Sequence, residues 1–371
     1  MKAVIVYASA GAGHFKAAEA IYKYLKNNCP QIEVSLVDIL PMTSPTMQFN
    51  YRFGYNFLIN RALFLWSLSF WMTDTKWLRF IVRPLSELIN HFNTLPFRNF
   101  LLKENPDLII STHFLPPEIA TRLKRSGKIR SKIITVITDF GVHNFWMHKG
   151  TDIYVGASSV TGNILAKKGV KRECIKEFGI PVDEKFLKPL DRNELCRKLG
   201  VAADKFTVLI MTGSFGIGPI EEIIHLLQGK AQLLVVCASN KALYAKLKSA
   251  NFTDTKVYGF VDNVQELMNV SDIIVTKPGG LSISEILISG IVPVFVSAIP
   301  GQEQGNLDAM QKSGVGIAPK HLEELVGIIL DLKDNPAKLA QMKAAISKIR
   351  KPDTLRNICD VLCPGCSRPS G

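Results

Sequence analysis

The chain has 371 residues, 47% hydrophobic and 21% charged, enough for about two domains with real cores. Its seven cysteines are scattered with no disulfide framework, which fits a reducing cytoplasm, and with a first strand starting almost at Met1 no secretory leader is expected. Of the net charge of +13, residues 1–185 hold 24 Lys/Arg against 14 Asp/Glu and residues 186–371 hold 21 against 18, so the N-terminal half calls for an anionic partner surface; no nucleic-acid motif is present, which leaves an anionic membrane.

In chain order, Ala3–Ala8 is a short β-branched run ending in a Gly/Ser/Ala turn and reads as a buried strand. From Phe15 the spacing of Phe15, Ala18, Ile21, Tyr22 and Leu25 is helical. Gly11 and Gly13 allow close approach of a ligand, and unpaired N–H groups at a helix start favour an anion. His14 stands at the rim of this corner, as a solvated loop histidine or a functional one. The pattern G-x-G-x-x-G fails because Lys16 occupies the third glycine position, so Asp38 at the end of a second predicted strand, Glu33–Asp38, is weak support for a dinucleotide site. No Walker sequence occurs.

Residues 47–85, "MQFNYRFGYNFLINRALFLWSLSFWMTDTKWLRFIVRPL", break the strand–helix alternation. The longest uncharged run, Ala62–Thr73, is shorter than the roughly 18–20 residues of a spanning helix. Trp66, Trp71 and Trp77 with Arg52, Arg61, Arg79 and Arg83 are the mixture of a lipid interface, and a helical insertion packed on the core is the plainer alternative. Further strands are expected at Leu108–Thr112, Ile133–Thr138 and Ile153–Gly156. Asp139 and His143 follow a strand end: Asp139 is suited to orient a histidine or bind the acceptor and His143 to face a cleft, or the two are a turn cap and a surface histidine. His113 carries the same ambiguity.

The alternation restarts with strands at Thr207–Met211, Gln232–Cys237, Lys256–Tyr258, Ile273–Thr276 and Val292–Val296. Two blocks of this kind predict two doubly wound, Rossmann-like α/β domains, an N-terminal one over 1–178 with an insertion at about 46–101, and a C-terminal one over 182–345. Residues 178–189 read as a linker, and a cleft between such domains is a favoured ligand site. The tail, 346–371, is free to return to the first domain, or the helical stretch 323–350 does so. Cys359, Cys363 and Cys366 lack a second ligand pair, so a frayed end is expected there rather than zinc. In the second block, "MTGSFGIGPIEEII" and "DIIVTKPGGLSISEILISGIVPVFV" are each strand, glycine turn and helix. Ser282, Ser284 and Glu285 are placed in the first helical turn, where backbone N–H groups can hold phosphates and a carboxylate can grip ribose hydroxyls or simply complement the dipole. Gln302, Glu303, Gln304 and Asn306 suit sugar hydroxyls or an ordinary polar helix start.

"ASAGAGH", "ITDFGVHNFW", "GIPVDEKF", "YGFVDNVQELMNVSDIIVTKPGG", "PGGLSISE" and "PGQEQGN", in that order along nearly the whole chain, resemble the monogalactosyldiacylglycerol synthase and processive diacylglycerol glucosyltransferase family, related to the enzyme that adds N-acetylglucosamine to lipid-linked muramyl peptide. "SAGAGH" departs from the glycine run of many members, and the aromatic segment resembles the family's acceptor-side insertion. The resemblance implies the glycosyltransferase B fold, with a UDP-sugar (UDP-glucose or UDP-galactose) on the C-terminal domain and diacylglycerol approaching the N-terminal one. It implies that Phe260–Val261 meet the uracil and Glu285 the ribose, that Gly213, Ser214, Gly279, Gly280 and Leu281 line the diphosphate, with Phe215, Gly216 and Ser282 also among the nucleotide-sugar-binding residues, and that Gln302 and Glu303 meet the sugar. Gly11, Gly13, Asp139 and His143 fall on the acceptor side, and Arg61, Trp66, Trp71 and Trp77 on the membrane.

Sugar transfer needs a base, and His14 suits it, since imidazole titrates near neutrality. No D-x-D pair occurs, so neither a metal nor another cofactor is expected, and the leaving charge falls on backbone N–H groups. The expectation is an inverting hexosyltransferase, peripheral on the cytoplasmic face of the membrane, making a β-glycosyl diacylglycerol. The alternatives are a polyprenyl-linked or other lipid acceptor, a nucleotide-sugar epimerase on the same fold, an NAD oxidoreductase, or a non-catalytic lipid-binding module.

Overall fold

The computed structural model describes residues 1–9, 11–54 and 61–363, with only the backbone for residues 52, 53, 63, 66, 69, 76–83 and 302. It divides into two compact units: unit 1, Met1–Asp183 with Ile299–Gly305 and Asp353–Gly371, and unit 2, Glu184–Ala298 with Asn306–Pro352.

Unit 1 is built on six strands, β1 (Lys2–Tyr7), β2 (Glu33–Asp38), β3 (Leu108–Ser111), β4 (Lys132–Val136), β5 (Ile153–Val155) and β6 (Ile175–Lys176). All pairings are parallel, in the order β2-β1-β3-β4-β5-β6. β6, only two residues long, has too little apolar pattern for sequence reasoning to find. Both faces of the sheet are covered, as parallel sheets require. Ala3, Ile5, Leu108, Ile110, Ile134 and Val136 pack on one face against Ile21 and Leu25 of helix Ala12–Asn28. Val4, Val6, Ile109 and Ile133 pack on the other against Phe97, Leu101 and Leu115.

The insertion folds as helices Leu63–Asp74, Lys76–Asn93 and Leu95–Glu104. Among the described residues no helix is long and apolar enough to cross a membrane. From Pro84 onward, helix Lys76–Asn93 is inside out. Leu85, Leu88, Ile89 and Phe92, one stripe at helical spacing, are each more than half exposed, whereas Asn90 and His91 turn inward. Asn90 Nδ2 donates to both oxygens of Glu118, at 3.1 and 3.0 Å, and Arg122 donates to the Glu87 carbonyl. The polar face therefore anchors the helix, and the apolar stripe has no cover among the described residues.

Unit 2 has β7 (Thr207–Met211), β8 (Gln232–Val236), β9 (Thr255–Tyr258), β10 (Ile273–Thr276) and β11 (Val292–Phe295), all parallel, in the order β11-β10-β7-β8-β9.

Two boundaries differ from expectation. Helices Glu324–Asp334 and Pro336–Ile349 stay with unit 2. It is Thr354–Leu362 that joins unit 1, because Leu355, Ile358 and Cys359 fall on one face and enter the core beside Ile21 and Leu25. Thr354 Oγ1 donates to the Phe178 carbonyl at 2.7 Å. Cys359 is thus a core residue rather than part of a frayed end; Cys366 lies outside the described residues. Residues 299–305, expected in the C-terminal domain, group with unit 1: a Cβ on Gly141 would sit 3.3 Å from the Gly305 Cα.

Ile358→Ala removes a buried side chain that joins the last helix to the first unit. It should lower stability by about 2–5 kcal/mol, read as a drop in the urea midpoint of a full-length preparation.

Candidate active site

In open parallel sheets, ligands bind beyond the carboxyl ends of the strands where the strand order reverses. In unit 1 that point lies between β1 and β3. Helix Ala12–Asn28 begins there at Gly11, an extended N-cap that makes no side-chain cap. The helix starts three residues earlier than the spacing of apolar residues suggests, so His14 lies inside its first turn rather than on the turn before it. Gly13 belongs to the same turn. Asp38 Oδ1 accepts from the N–H groups of Ser9 and Leu40, both at 3.1 Å. The acid that would mark a dinucleotide site instead shapes the β1 turn.

His14 is held by three bonds to neighbouring strand ends. Its Nδ1 lies 2.7 Å from the Thr112 carbonyl and 3.0 Å from Thr138 Oγ1, and Thr112 Oγ1 donates to the His14 carbonyl at 2.8 Å. A carbonyl only accepts, so Nδ1 carries the proton and Nε2 the lone pair. Burial pushes the imidazole down to about 4, outweighing the bond to Thr112, so the ring is neutral at physiological pH with Nε2 ready to accept a proton. Trp146 lies 6.2 Å away, centroid to centroid.

The other acceptor-side residues divide. Asp139 follows β4 and is half-buried; the partners of His14 Nδ1 are Thr112 and Thr138, not Asp139. His143 is committed elsewhere. Its Nδ1 accepts from the Phe145 N–H, its Nε2 lies 3.2 Å from the Phe70 carbonyl and 3.1 Å from Thr73 Oγ1, and Phe70 and Phe145 flank the ring. Asp74 receives Lys168 Nζ at 2.7 Å and the Asn144 N–H at 2.9 Å. His143 and Asp74 therefore clamp helix Leu63–Asp74 to the loop after β4, and both ring nitrogens of His143 are taken up in that clamp. The clamp was not legible in the sequence, since its partners are about 70 residues apart. Arg61 and Trp71 are exposed, Trp71 by 63%. The side chains of Trp66 and Trp77 lie outside the described residues.

In unit 2 the strand order reverses between β7 and β10, and the two glycine turns lie there. Gly213 (φ +86°), Gly216 (φ +59°) and Gly218 (φ +148°) take backbone angles that side chains resist. A Cβ on Gly216 would fall 2.1 Å from the Cys237 carbonyl. The Ser214 carbonyl accepts from Ser239 Oγ at 2.8 Å and the Gly216 carbonyl from Asn240 Nδ2 at 3.1 Å. Phe215 is 49% exposed. Thr212, which sequence reasoning missed, has a buried hydroxyl with no hydrogen-bond partner among the described residues.

After β10, helix Gly280–Ser289 opens at Gly279 with no side-chain cap and no acidic residue in its first turn. Its leading N–H groups, at Gly280, Leu281 and Ser282, are the kind that receive an anion. Ser284 is buried and Glu285 stands in the second turn, which removes the reading of Glu285 as a simple N-terminal cap. Phe260 is 74% exposed and Val261 half-buried at the loop after β9. Asn306, expected to face sugar hydroxyls, is fully buried and donates to the Pro278 carbonyl at 3.0 Å, holding the Pro-Gly-Gly turn. Glu303 Oε2 accepts the Ile299 N–H at 2.8 Å, and the Gln302 side chain lies outside the described residues. Among the described residues no three His, Cys, Asp or Glu side chains gather as a metal site would require.

Two parallel-sheet units of this kind define the glycosyltransferase B fold. The chain matches MurG of Acinetobacter baumannii with a TM-score of 0.62 at 15% identity over 97% of this chain and 98% of the other. It matches HepE of Anabaena in complex with UDP-glucose with a TM-score of 0.57 at 16% identity, over 98% and 99%. A UDP-GlcNAc 2-epimerase of Neisseria meningitidis fits as well, TM-score 0.62 at 13% identity over 98% and 99%, so the fold does not choose a reaction.

Sequence similarity is narrower. The family model for monogalactosyldiacylglycerol (MGDG) synthase matches residues 14–182, and that for the glycosyltransferase family 28 C-terminal domain matches residues 207–358. A probable chloroplastic monogalactosyldiacylglycerol synthase of Glycine max is 31% identical over 96% of this chain and 70% of its own length. A processive diacylglycerol beta-glucosyltransferase of Bacillus cereus is 26% identical over 97% and 93%. The chain belongs to the monogalactosyldiacylglycerol synthase and diacylglycerol glucosyltransferase family of glycosyltransferases.

His14 and His113 are both kept neutral by the fold, with His113 pushed well below its ordinary range by burial and then by His14. The unfolded chain binds protons that the folded chain refuses, so stability is full above the ordinary histidine value and falls as pH drops from about 6.5 toward 4. Urea midpoints across that range should fall, and more gently for His14→Gln than for the parent.

Proposed function

We propose that the protein is an inverting, metal-independent hexosyltransferase that moves glucose or galactose from a UDP-sugar to the free hydroxyl of diacylglycerol, at the cytoplasmic face of a membrane. The observation that carries this reading is His14: a neutral imidazole at the switch point of unit 1, with Nδ1 tied to a carbonyl and Nε2 available as base. The hydroxyl oxygen attacks the anomeric carbon, its proton passes to His14 Nε2, and the bond from that carbon to the β-phosphate oxygen breaks with UDP leaving. Attack from the face opposite the leaving group gives the β-linked product.

The leaving group gains charge as it departs. The uncapped start of helix Gly280–Ser289 and the Gly213–Gly216 turn are suited to take it, preorganised donors that cost no reorganisation. The missing D-x-D pair fits the same arrangement. Glu285, one turn further in, is suited to ribose hydroxyls, and the exposed Phe260–Val261 loop to the base. The relatives named above support diacylglycerol as acceptor.

The inside-out helix supports contact with the membrane. Exposed Phe64, Leu65, Leu68 and Trp71 on one helix and Leu85, Leu88, Ile89 and Phe92 on the next, in the more basic half of the chain, suit a helix pair lying in the headgroup region. A peripheral enzyme would take its lipid acceptor from there.

The purified enzyme given diacylglycerol in mixed micelles should release UDP and form a β-glycolipid from UDP-glucose or UDP-galactose, undiminished by EDTA. His14→Ala should cut turnover by roughly 100- to 10,000-fold with UDP affinity preserved. No glycolipid from either donor refutes the assignment. Leu88→Glu with Phe92→Glu should cut cosedimentation with anionic vesicles while leaving the urea midpoint in place.

A further inference from the structure

His113 has no part in the reaction proposed above, yet it is the largest polar side chain packed on His14. It is 1% exposed, and its ring stands 4.8 Å from the His14 ring, centroid to centroid, at an interplanar angle of 84°. Its other neighbours are Phe114, stacked at 4.1 Å, and Tyr51 at 6.0 Å.

The orientation of the ring is fixed. The Leu115 N–H donates to His113 Nδ1 at 3.2 Å, so Nδ1 carries the lone pair and Nε2 the proton. Ser111 Oγ donates to the His113 carbonyl at 2.7 Å and accepts from its N–H at 3.3 Å. Leu115 opens a helix whose next two residues, Pro116 and Pro117, have no N–H. The bond therefore satisfies the first orphan donor of that helix and locks the imidazole in the same stroke.

Thr112 and His113 are consecutive, and both meet His14. Thr112 takes the Nδ1 proton in the plane of the ring. His113 meets the ring at right angles, closing off rotation about the remaining axis. Among the described residues the partners of His14 Nδ1 are the Thr112 carbonyl and Thr138 Oγ1 rather than a carboxylate, the usual orienter of a catalytic imidazole, so its aim depends on Thr112, His113 and Thr138.

We propose that His113 is a positioning residue for catalysis: its buried ring, packed between Phe114 and His14, holds the plane of His14 so that Nε2 faces the acceptor hydroxyl. The inference rests on the reading of His14 as the base.

Two substitutions separate this role from helix capping. Asn at position 113 can still accept the N–H two residues on, as in an Asx turn, but it has no ring. Phe keeps the ring and loses the acceptor. His113→Asn should keep its melting temperature and lose kcat by about 10- to 100-fold, with KM for the UDP-sugar within about twofold. His113→Phe should melt lower yet keep kcat within about threefold.

Added to His14→Ala, His113→Asn should cost nothing more, measured as residual turnover with radiolabelled donor over hours. A His113→Asn enzyme with parental kcat overturns the proposal, as does an equal further loss in the His14→Ala background. If His14→Ala itself turns over at the parental rate, the assignment of the base falls and this inference with it. If His14→Ala is crippled and His113→Asn is not, only this inference falls.

Discussion

One hydrogen bond sets the chemistry available to this protein: the contact between His14 Nδ1 and the Thr112 carbonyl. It joins the first turn of the helix after β1 to the end of β3, the two strands between which the order of the sheet reverses. Because a carbonyl offers no proton, the bond decides the tautomer and leaves the lone pair on Nε2. Because a carbonyl is also neutral, it does little to stabilise an imidazolium, and burial wins. Here the imidazole is unprotonated across the physiological range.

The second unit repeats the topology. Its glycine turns also follow the two strands at the switch point, and there it is backbone rather than a titratable side chain that shapes the corner. Left-handed angles at Gly213 and Gly216 shape one turn, and a buried Asn306 fixes the other by holding Pro278. A helix that begins at glycine, without a capping side chain or an acid in its first turn, leaves donors open that most helices satisfy themselves. The insertion of the first unit makes a similar trade. Its polar contacts, between Asn90 and Glu118 and between Asp74, His143 and their partners, are spent on anchoring, while Phe64, Leu65, Trp71, Leu85, Leu88 and Phe92 face outward.

The central strands were legible because buried parallel strands are β-branched runs, and Thr207–Met211 and Ile273–Thr276 fall where the pattern puts them. The glycine turns that follow them were legible with them. What the sequence hid was the direction of side chains. Nothing local says that His143 turns back to the insertion, that Asn306 is buried under a turn, or that Asp38 is consumed by the β1 loop. Each of these pairings joins residues that sequence spacing does not relate. The return of the tail to the first unit was one of the alternatives the sequence left open, whereas the frayed end expected at Cys359 was not found, because Leu355, Ile358 and Cys359 at helical spacing carry the packing. The start of the first helix was misplaced because small residues, Ala12 and Gly13, give no apolar periodicity.

The tautomer and charge of His14 are the centre of the account, and they can be read directly. In protein labelled with ¹⁵N-histidine, the ring nitrogens of His14, assigned by comparison with His14→Gln, report both at neutral pH. The account predicts a neutral ring with the proton on Nδ1, unchanged as pH is lowered to 5. A ring protonated on Nε2, or an imidazolium at pH 7, would contradict it.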